Sequence, residues 1–143
     1  MVIKQLSVFL ENKSGRLTEV LETLGKEEIK IIALSVADTS EFGILRLLVP
    51  DPEKARALLK EKSFTVNLSD VISVTTPNEA GHYAQILHIL SDIDISIEYT
   101  YAFSVGDKSI IVMRTNNPEL AIETLQKHNM DLLNANDLYK ISK

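Results

Sequence analysis

The chain contains no cysteine and no tryptophan, and only five glycines and four prolines in 143 residues. Without cysteine there is no disulfide and no thiolate-held zinc or iron–sulfur centre, which fits a reducing compartment. Basic clusters are missing too. Lys and Arg number 15 against 20 Asp and Glu, for a net charge of −5 and a pI near 5.2, so no nucleic-acid partner is expected. Apolar runs last a handful of residues, far short of the roughly 18 that span a bilayer. The start, Met1-Val2-Ile3-Lys4-Gln5-Leu6, enters an alternating strand pattern directly instead of a basic-then-apolar leader. These features together predict a soluble cytoplasmic protein with no membrane partner.

What the chain does contain is one module written twice. Thirteen identical pairs recur at a constant offset of 66, among them Ser7/Ser73, Asn12/Asn78, Gly15/Gly81, Leu24/Leu90, Ile31/Ile97, Pro52/Pro118 and Leu59/Leu125. A turn pair, a helix start and core spacings are where a fold dictates residue type, and a long period with two copies argues for two small domains. We place them at 1–68 and 69–143. Domains of roughly 60 residues bury only about 60 % of their unfolded surface, so the modules are expected to pack on a second chain, most simply as a homodimer.

Each copy reads strand, helix, strand, strand, helix, strand. Ile3 to Leu10 is apolar and β-favouring and ends at the turn formers Glu11 to Gly15. Leu17, Val20, Leu21 and Leu24 then fall at i, i+3, i+4 and i+7, one face of a helix that Gly25 should end. Tyr83, Ile86, Leu87 and Leu90 repeat the stripe. Ile29 to Ala37 and Ile95 to Phe103 read as strands that turn back at Asp38 to Glu41 and at Val105 to Lys108. Asp51-Pro52-Glu53 and Asn117-Pro118-Glu119 supply a cap, a first-turn proline and an acid for the second helices. Short strands follow at Phe64 to Asn67 and Met130 to Leu133. Residues 137–141 occupy the slot of a third first strand and are expected to form an extra C-terminal edge strand. The fold class is α+β: two ferredoxin-like βαββαβ modules, antiparallel sheets with helices on one face. Leu47 to Val49 and Ile110 to Met113 are apolar on successive residues, so something should cover the sheet's other face.

The junction of first strand and first helix carries the chemistry. Asn12-Lys13-Ser14-Gly15-Arg16-Leu17 and Asn78-Glu79-Ala80-Gly81-His82-Tyr83 share Asn-x-x-Gly. A helix N-terminus offers unpaired N–H groups and partial positive charge to a carboxylate, glycine permits close approach, and an asparagine amide both donates and accepts. The same residue types also serve as plain turn and capping residues.

On these residues the chain resembles the ACT domain family, small regulatory modules of amino-acid metabolism, over nearly all of both copies. Asn12, Gly15 and Leu17 match the family's loop in the first copy and Asn78 and Gly81 in the second. Ser14 and Ala80 replace its usual proline, and Tyr83 its aliphatic residue. The resemblance implies amino-acid binding where one module's loop meets a neighbouring sheet. Its candidate ligand-binding residues are Asn12, Ser14, Gly15, Arg16, Leu17 and Ile31, and Asn78, Ala80, Gly81, His82, Tyr83 and Ile97. It implies a non-catalytic regulator with no cofactor, partnered by an amino-acid-metabolism enzyme, or a regulatory subunit resembling the small subunit of acetolactate synthase. A structural interaction module without ligand is the remaining alternative.

Other candidates weigh less. His82, His88 and His128 show no helical metal pair at i+3 or i+4, though His82 could hold an anion at its loop. No serine sits in Gly-x-Ser-x-Gly, so no catalytic residue is assigned. Glu27, Glu28, Asp92 and Asp94 read as solvated loop charges. Tyr99, Tyr101 and Phe103 could form a base-stacking platform, but the acidic charge favours packing or a subunit interface.

Overall fold

The computed structural model describes residues 1–11, 13–38 and 42–142. The chain divides into two compact units, Lys4–Ser69 and Asp70–Ile141, with Met1–Ile3 grouped with the second and Ser142 with the first. In chain order the elements are β1 (Ile3–Glu11), α1 (Arg16–Lys26), β2 (Ala33–Asp38), β3 (Phe42–Leu48), α2 (Pro52–Glu61), β4 (Thr65–Pro77), α3 (His82–Ser91), β5 (Ile97–Val105), β6 (Lys108–Thr115), α4 (Pro118–Lys127), β7 (Asp131–Leu133) and α5 (Ala135–Ser142). Two antiparallel βαββαβ modules result.

In the first unit β1 pairs with β3 (Leu6 opposite Leu47) and β3 with β2 (Leu34 opposite Leu47). Alternation sends Leu6, Val8, Leu10, Leu45 and Leu47 to one face, where they pack on Val20 and Leu24 of α1 and Ala55 and Leu59 of α2. The second unit repeats this with strand order β7-β4-β6-β5. Ile72, Val74, Ile111 and Met113 meet Ile86, Leu90, Ala121 and Leu125. Asp51 and Asn117 accept from the amides of Lys54 and Leu120, each at 3.2 Å, with proline at the first helical position.

All four module helices end in the same way. Glu28, Ser63, Asp94 and Asn129 adopt left-handed conformations, with φ of 56°, 67°, 59° and 60°. The next amide in each case turns back to a leucine carbonyl. Ile29 donates to Leu24, Phe64 to Leu59 and Met130 to Leu125 at 3.0 Å, and Ile95 to Leu90 at 3.1 Å. This is the Schellman closure with its hydrophobic contact, since each donor packs in the core that buries its leucine. It corrects the expected helix end at Gly25, which lies inside α1. It also explains why β2 and β5 begin later than expected, at Ala33 and Ile97: Ile29 and Ile95 are spent on closing the helices. The expected short strand at 64–67 runs on into the first strand of the second copy as one strand, β4, because residues 68–70 include neither glycine nor proline. The hairpin of the second unit turns at Gly106, with φ 62°, and Asp107; the corresponding turn residues 39–41 lie outside the described residues.

The expected extra edge strand is a helix, α5. Asn134 Oδ1 accepts from the Asp137 amide at 2.8 Å and Asp137 Oδ2 accepts from the Asn134 amide at 3.0 Å, a reciprocal capping box that fixes a helix start. Leu138 is buried, and Ile141 follows one turn later. Asp137 and Ile141 share a cavity with Thr75 and Ile110, which alternate with the core residues Val74 and Ile111. The cover expected over Ile110 is therefore supplied in part by the chain itself, and α5 departs from the expectation that all helices share one face.

Gly25 and Gly15 should respond oppositely to alanine. A methyl at Gly25 meets no atom within 4 Å, so Gly25→Ala should stabilise by about 0.5–1 kcal/mol. At Gly15, φ is 86°, and Gly15→Ala should cost about 1–2 kcal/mol. Urea denaturation of both variants checks the sign of each change.

Candidate functional site

Both Asn-x-x-Gly loops sit where expected, at the openings of α1 and α3. Gly15 and Gly81 are the N-caps, with φ of 86° and 92°, and neither helix receives a side-chain cap. In contrast, α2, α4 and α5 are capped by Asp51, Asn117 and Asn134. The N-cap glycines thus put no side chain on the first-turn amides, of which Arg16 and His82 donate to the Lys13 and Glu79 carbonyls at 3.4 Å. Asn12 lies outside the described residues. Ser14, Gly15, Ala80 and Gly81 are exposed, while Ile31 and Ile97 pack against the cores of their own units.

The two loops differ in how they are tied. In the second, the Asn78 amide donates to the Asp107 carbonyl at 2.9 Å and Asn78 Nδ2 to Ser104 Oγ at 3.4 Å. Thr100 Oγ1 donates to the Val112 carbonyl at 2.9 Å, which uses its only proton. The Tyr83 hydroxyl, 2.6 Å from Thr100 Oγ1, must therefore be the donor in that contact. An offset of 66 sets Leu17 against Tyr83 and Leu34 against Thr100. In place of a hydrogen-bonded pair the first copy shows exposed apolar residues, with Leu17 36 %, Leu34 44 % and Val36 43 % exposed.

Arg16 lies against the residue that precedes β4. Its guanidinium lies 4.4 Å over the Phe64 ring, and Nη1 donates to Glu19 at 2.9 Å. Its Nε is buried without a partner. A cavity of about 400 Å³ opens there, lined by Phe9, Leu10, Glu11, Arg16, Phe42, Ser63 and Thr65. The exposed Glu11 carboxyl is held below the usual carboxylate range, first by the hydrogen bond from Lys13, then by the charges of Lys13 and Arg16. Glu11 and Lys13 are 3.1 Å apart. Sequence reasoning selected Arg16 and missed its neighbours, since Phe9, Phe42 and Thr65 come together only through the β1 and β3 register and the fold of β4.

The histidines are peripheral. His82 Nε2 is 3.4 Å from Glu79, and His88 Nε2 is 3.6 Å from Asp92, an i,i+4 contact that the sequence reading overlooked. Two donors do not make a metal centre. Among the described residues no group of three or more His, Cys, Asp or Glu is placed to hold a metal ion. No helix among them is long and apolar enough to cross a membrane.

No curated protein matches the chain at a significant level. Among solved structures, the chain is similar to protein BT0572 from Bacteroides thetaiotaomicron, with 49 % identity and a TM-score of 0.93 over 98 % of this chain and 97 % of that one. The regulatory subunit of aspartate kinase from Thermus thermophilus shares the fold at 12 % identity and a TM-score of 0.65, covering 87 % and 91 % of the two chains. Its counterpart from Thermus flavus does so at 13 % identity and a TM-score of 0.60, covering 87 % and 90 %. A family model described as an ACT domain pair matches residues 1–142, in agreement with the duplicated glycine loops and the paired βαββαβ units, and the chain belongs to that family.

Proposed function

We infer that this chain is a non-catalytic regulatory protein of the cytoplasm that binds a small ligand, an amino acid, at its glycine loops. The observation that carries this reading is that α1 and α3 alone among the five described helices open without a side-chain cap, each at an exposed αL glycine. A ligand carboxylate satisfies such amides at little cost, because no N-cap side chain must be displaced. Regulation then follows from linkage: the ligand shifts an association or conformational equilibrium by the difference in its affinities for the two states.

The likeness to aspartate kinase regulatory subunits supports a role beside an enzyme of amino-acid metabolism. A homodimer is supported by the edge strand β2, which presents Leu34 and Val36 to solvent. Exposed apolar residues on an unpaired edge invite a second strand. The first loop is the more open of the two, with Leu17 and Leu34 standing where the second copy places its Tyr83–Thr100 bond.

A panel of the twenty amino acids, each tested by thermal shift, checks the reading. A selective ligand should stabilise the protein by about 2.7 kcal/mol at a hundredfold excess over its dissociation constant. Leu17→Glu should abolish the shift from the first loop and Asn78→Ala weaken any from the second. A flat panel would refute amino-acid sensing. Separately, Tyr83→Phe should cost about 0.5–1.5 kcal/mol in denaturation, since it removes a donor from Thr100.

A further inference from the structure

The cavity beside Arg16 is lined by neither Gly15 nor Leu17, and a recess at the corresponding place recurs in the second unit. Phe9, Phe42 and Thr65 line it in the first unit, and their equivalents at an offset of 66, Thr75, Lys108 and Asp131, line a cavity of about 430 Å³ in the second. There the chain's own α5 forms one wall with Asp137 and Ile141. The recess is therefore a property of the βαββαβ backbone, set where the first strand ends and the third and fourth begin. The side chains decide what each copy does with it.

In the first unit the side chains are those of a binding site. Phe9 and Phe42 meet at a centroid distance of 6.0 Å and an interplanar angle of 55°, giving an apolar aromatic floor. On the wall, the Arg16 guanidinium stacks over the buried Phe64 ring, and of its five N–H donors one bonds Glu19. Glu11 stands at the rim as an acceptor, directly opposite Phe42 in the β1–β3 register. Cation, anion and flat apolar floor are thus gathered around one volume. No counterpart of this set exists in the second unit, where Glu11 is matched by Pro77, Arg16 by His82 and Phe42 by Lys108.

We propose that this first-unit cavity is a second ligand site, separate from the glycine-loop amides, for a small zwitterion bearing a flat apolar group. Arg16 takes the carboxylate, Glu11 the ammonium, and Phe9 and Phe42 the apolar group. Glu11 already pairs with Lys13 and Arg16 with Glu19, and a zwitterion adds an opposite charge to both, whereas a bare monocarboxylate gains only Arg16 and a bare amine only Glu11, so the zwitterion binds best. The aromatic floor adds an edge or face contact to a ring.

The test uses L-phenylalanine as probe, with 3-phenylpropionate and phenethylamine as the analogues lacking ammonium and carboxylate. Amide chemical shifts of the full chain are followed on titration. L-Phenylalanine should move Phe9, Leu10, Glu11, Arg16, Phe42 and Thr65, and bind more tightly than either analogue. Phe42→Ala should weaken binding by roughly tenfold. Glu11→Gln, an exposed isosteric change that leaves the fold intact, should erase the preference for L-phenylalanine over 3-phenylpropionate. The proposal is overturned if none of these residues responds, or if both variants bind as the parent does. Shifts confined to Leu17 and Leu34 would also overturn it, while leaving the loop reading standing; shifts at the cavity alone would do the reverse.

Discussion

Four backbone hydrogen bonds to leucine carbonyls hold this fold in register. Each module helix must stop, reverse and deliver the chain to a strand within a few residues, and it does so by spending one left-handed residue and returning the following amide to Leu24, Leu59, Leu90 or Leu125. The bond satisfies a carbonyl that a helix end would otherwise leave open, and the donor residue packs beside the leucine it bonds. Because the closing donor is itself a core residue, the point where the helix ends and the point where the core begins are fixed together. The strands that follow inherit their phase from it, and a slip of one residue would turn each strand's apolar face to solvent.

None of these four left-handed positions is glycine, although glycine is the residue that adopts that conformation without strain. Glycine is instead reserved for the other ends of two helices, at Gly15 and Gly81, where the backbone must open α1 and α3 with φ near 90° and no side chain over the amides. Strain of about 1–2 kcal/mol at a non-glycine αL residue is tolerable when a buried leucine and its partner over-determine the turn. At the loops no such packing exists, since the residues around them are exposed, so glycine is needed there for conformation alone. That division explains why Gly25 misleads as a helix terminator: the stop is set by packing at Leu24 and Ile29, not by the residue type of a nearby glycine.

Much of the architecture was legible because it is dictated locally and stated twice. The 66-residue offset, the Asp-Pro-Glu and Asn-Pro-Glu helix starts and the alternating strands each carry their signal within a few residues. What escaped depends on contacts distant in sequence or on two signals in conflict. Residues 137–141 fit the slot of a strand by position, yet the Asn134 and Asp137 side chains form a capping box that favours a helix, and Leu138 buries on the helical period. Tyr83 is a candidate ligand residue in the sequence, and its bond to Thr100, 17 residues away on β5, is a tie between helix and sheet that only the fold reveals. The Arg16 cavity was half visible, because the loop motif selected Arg16 while the residues facing it come from β1, β3 and the start of β4.

Duplication therefore fixed the backbone and freed the chemistry. The identical pairs include all four closing leucines and both loop glycines, residues whose type the fold itself requires. Every residue lining the first recess differs from its match in the second copy: Phe9 and Thr75, Leu10 and Thr76, Glu11 and Pro77, Arg16 and His82, Phe42 and Lys108, Ser63 and Asn129, Thr65 and Asp131. A position that only packs tolerates few residues, because a core at crystal-like density punishes any change in volume. A position that lines a solvent-facing recess tolerates many, so its side chains can be set by what enters. The second copy uses that freedom to bring α5 across its sheet, and the first keeps an arginine, a carboxylate and two aromatic rings around open volume. On a shared βαββαβ core, the two recesses therefore differ in their lining side chains and in the helix α5, which stands where the first copy runs on as β4.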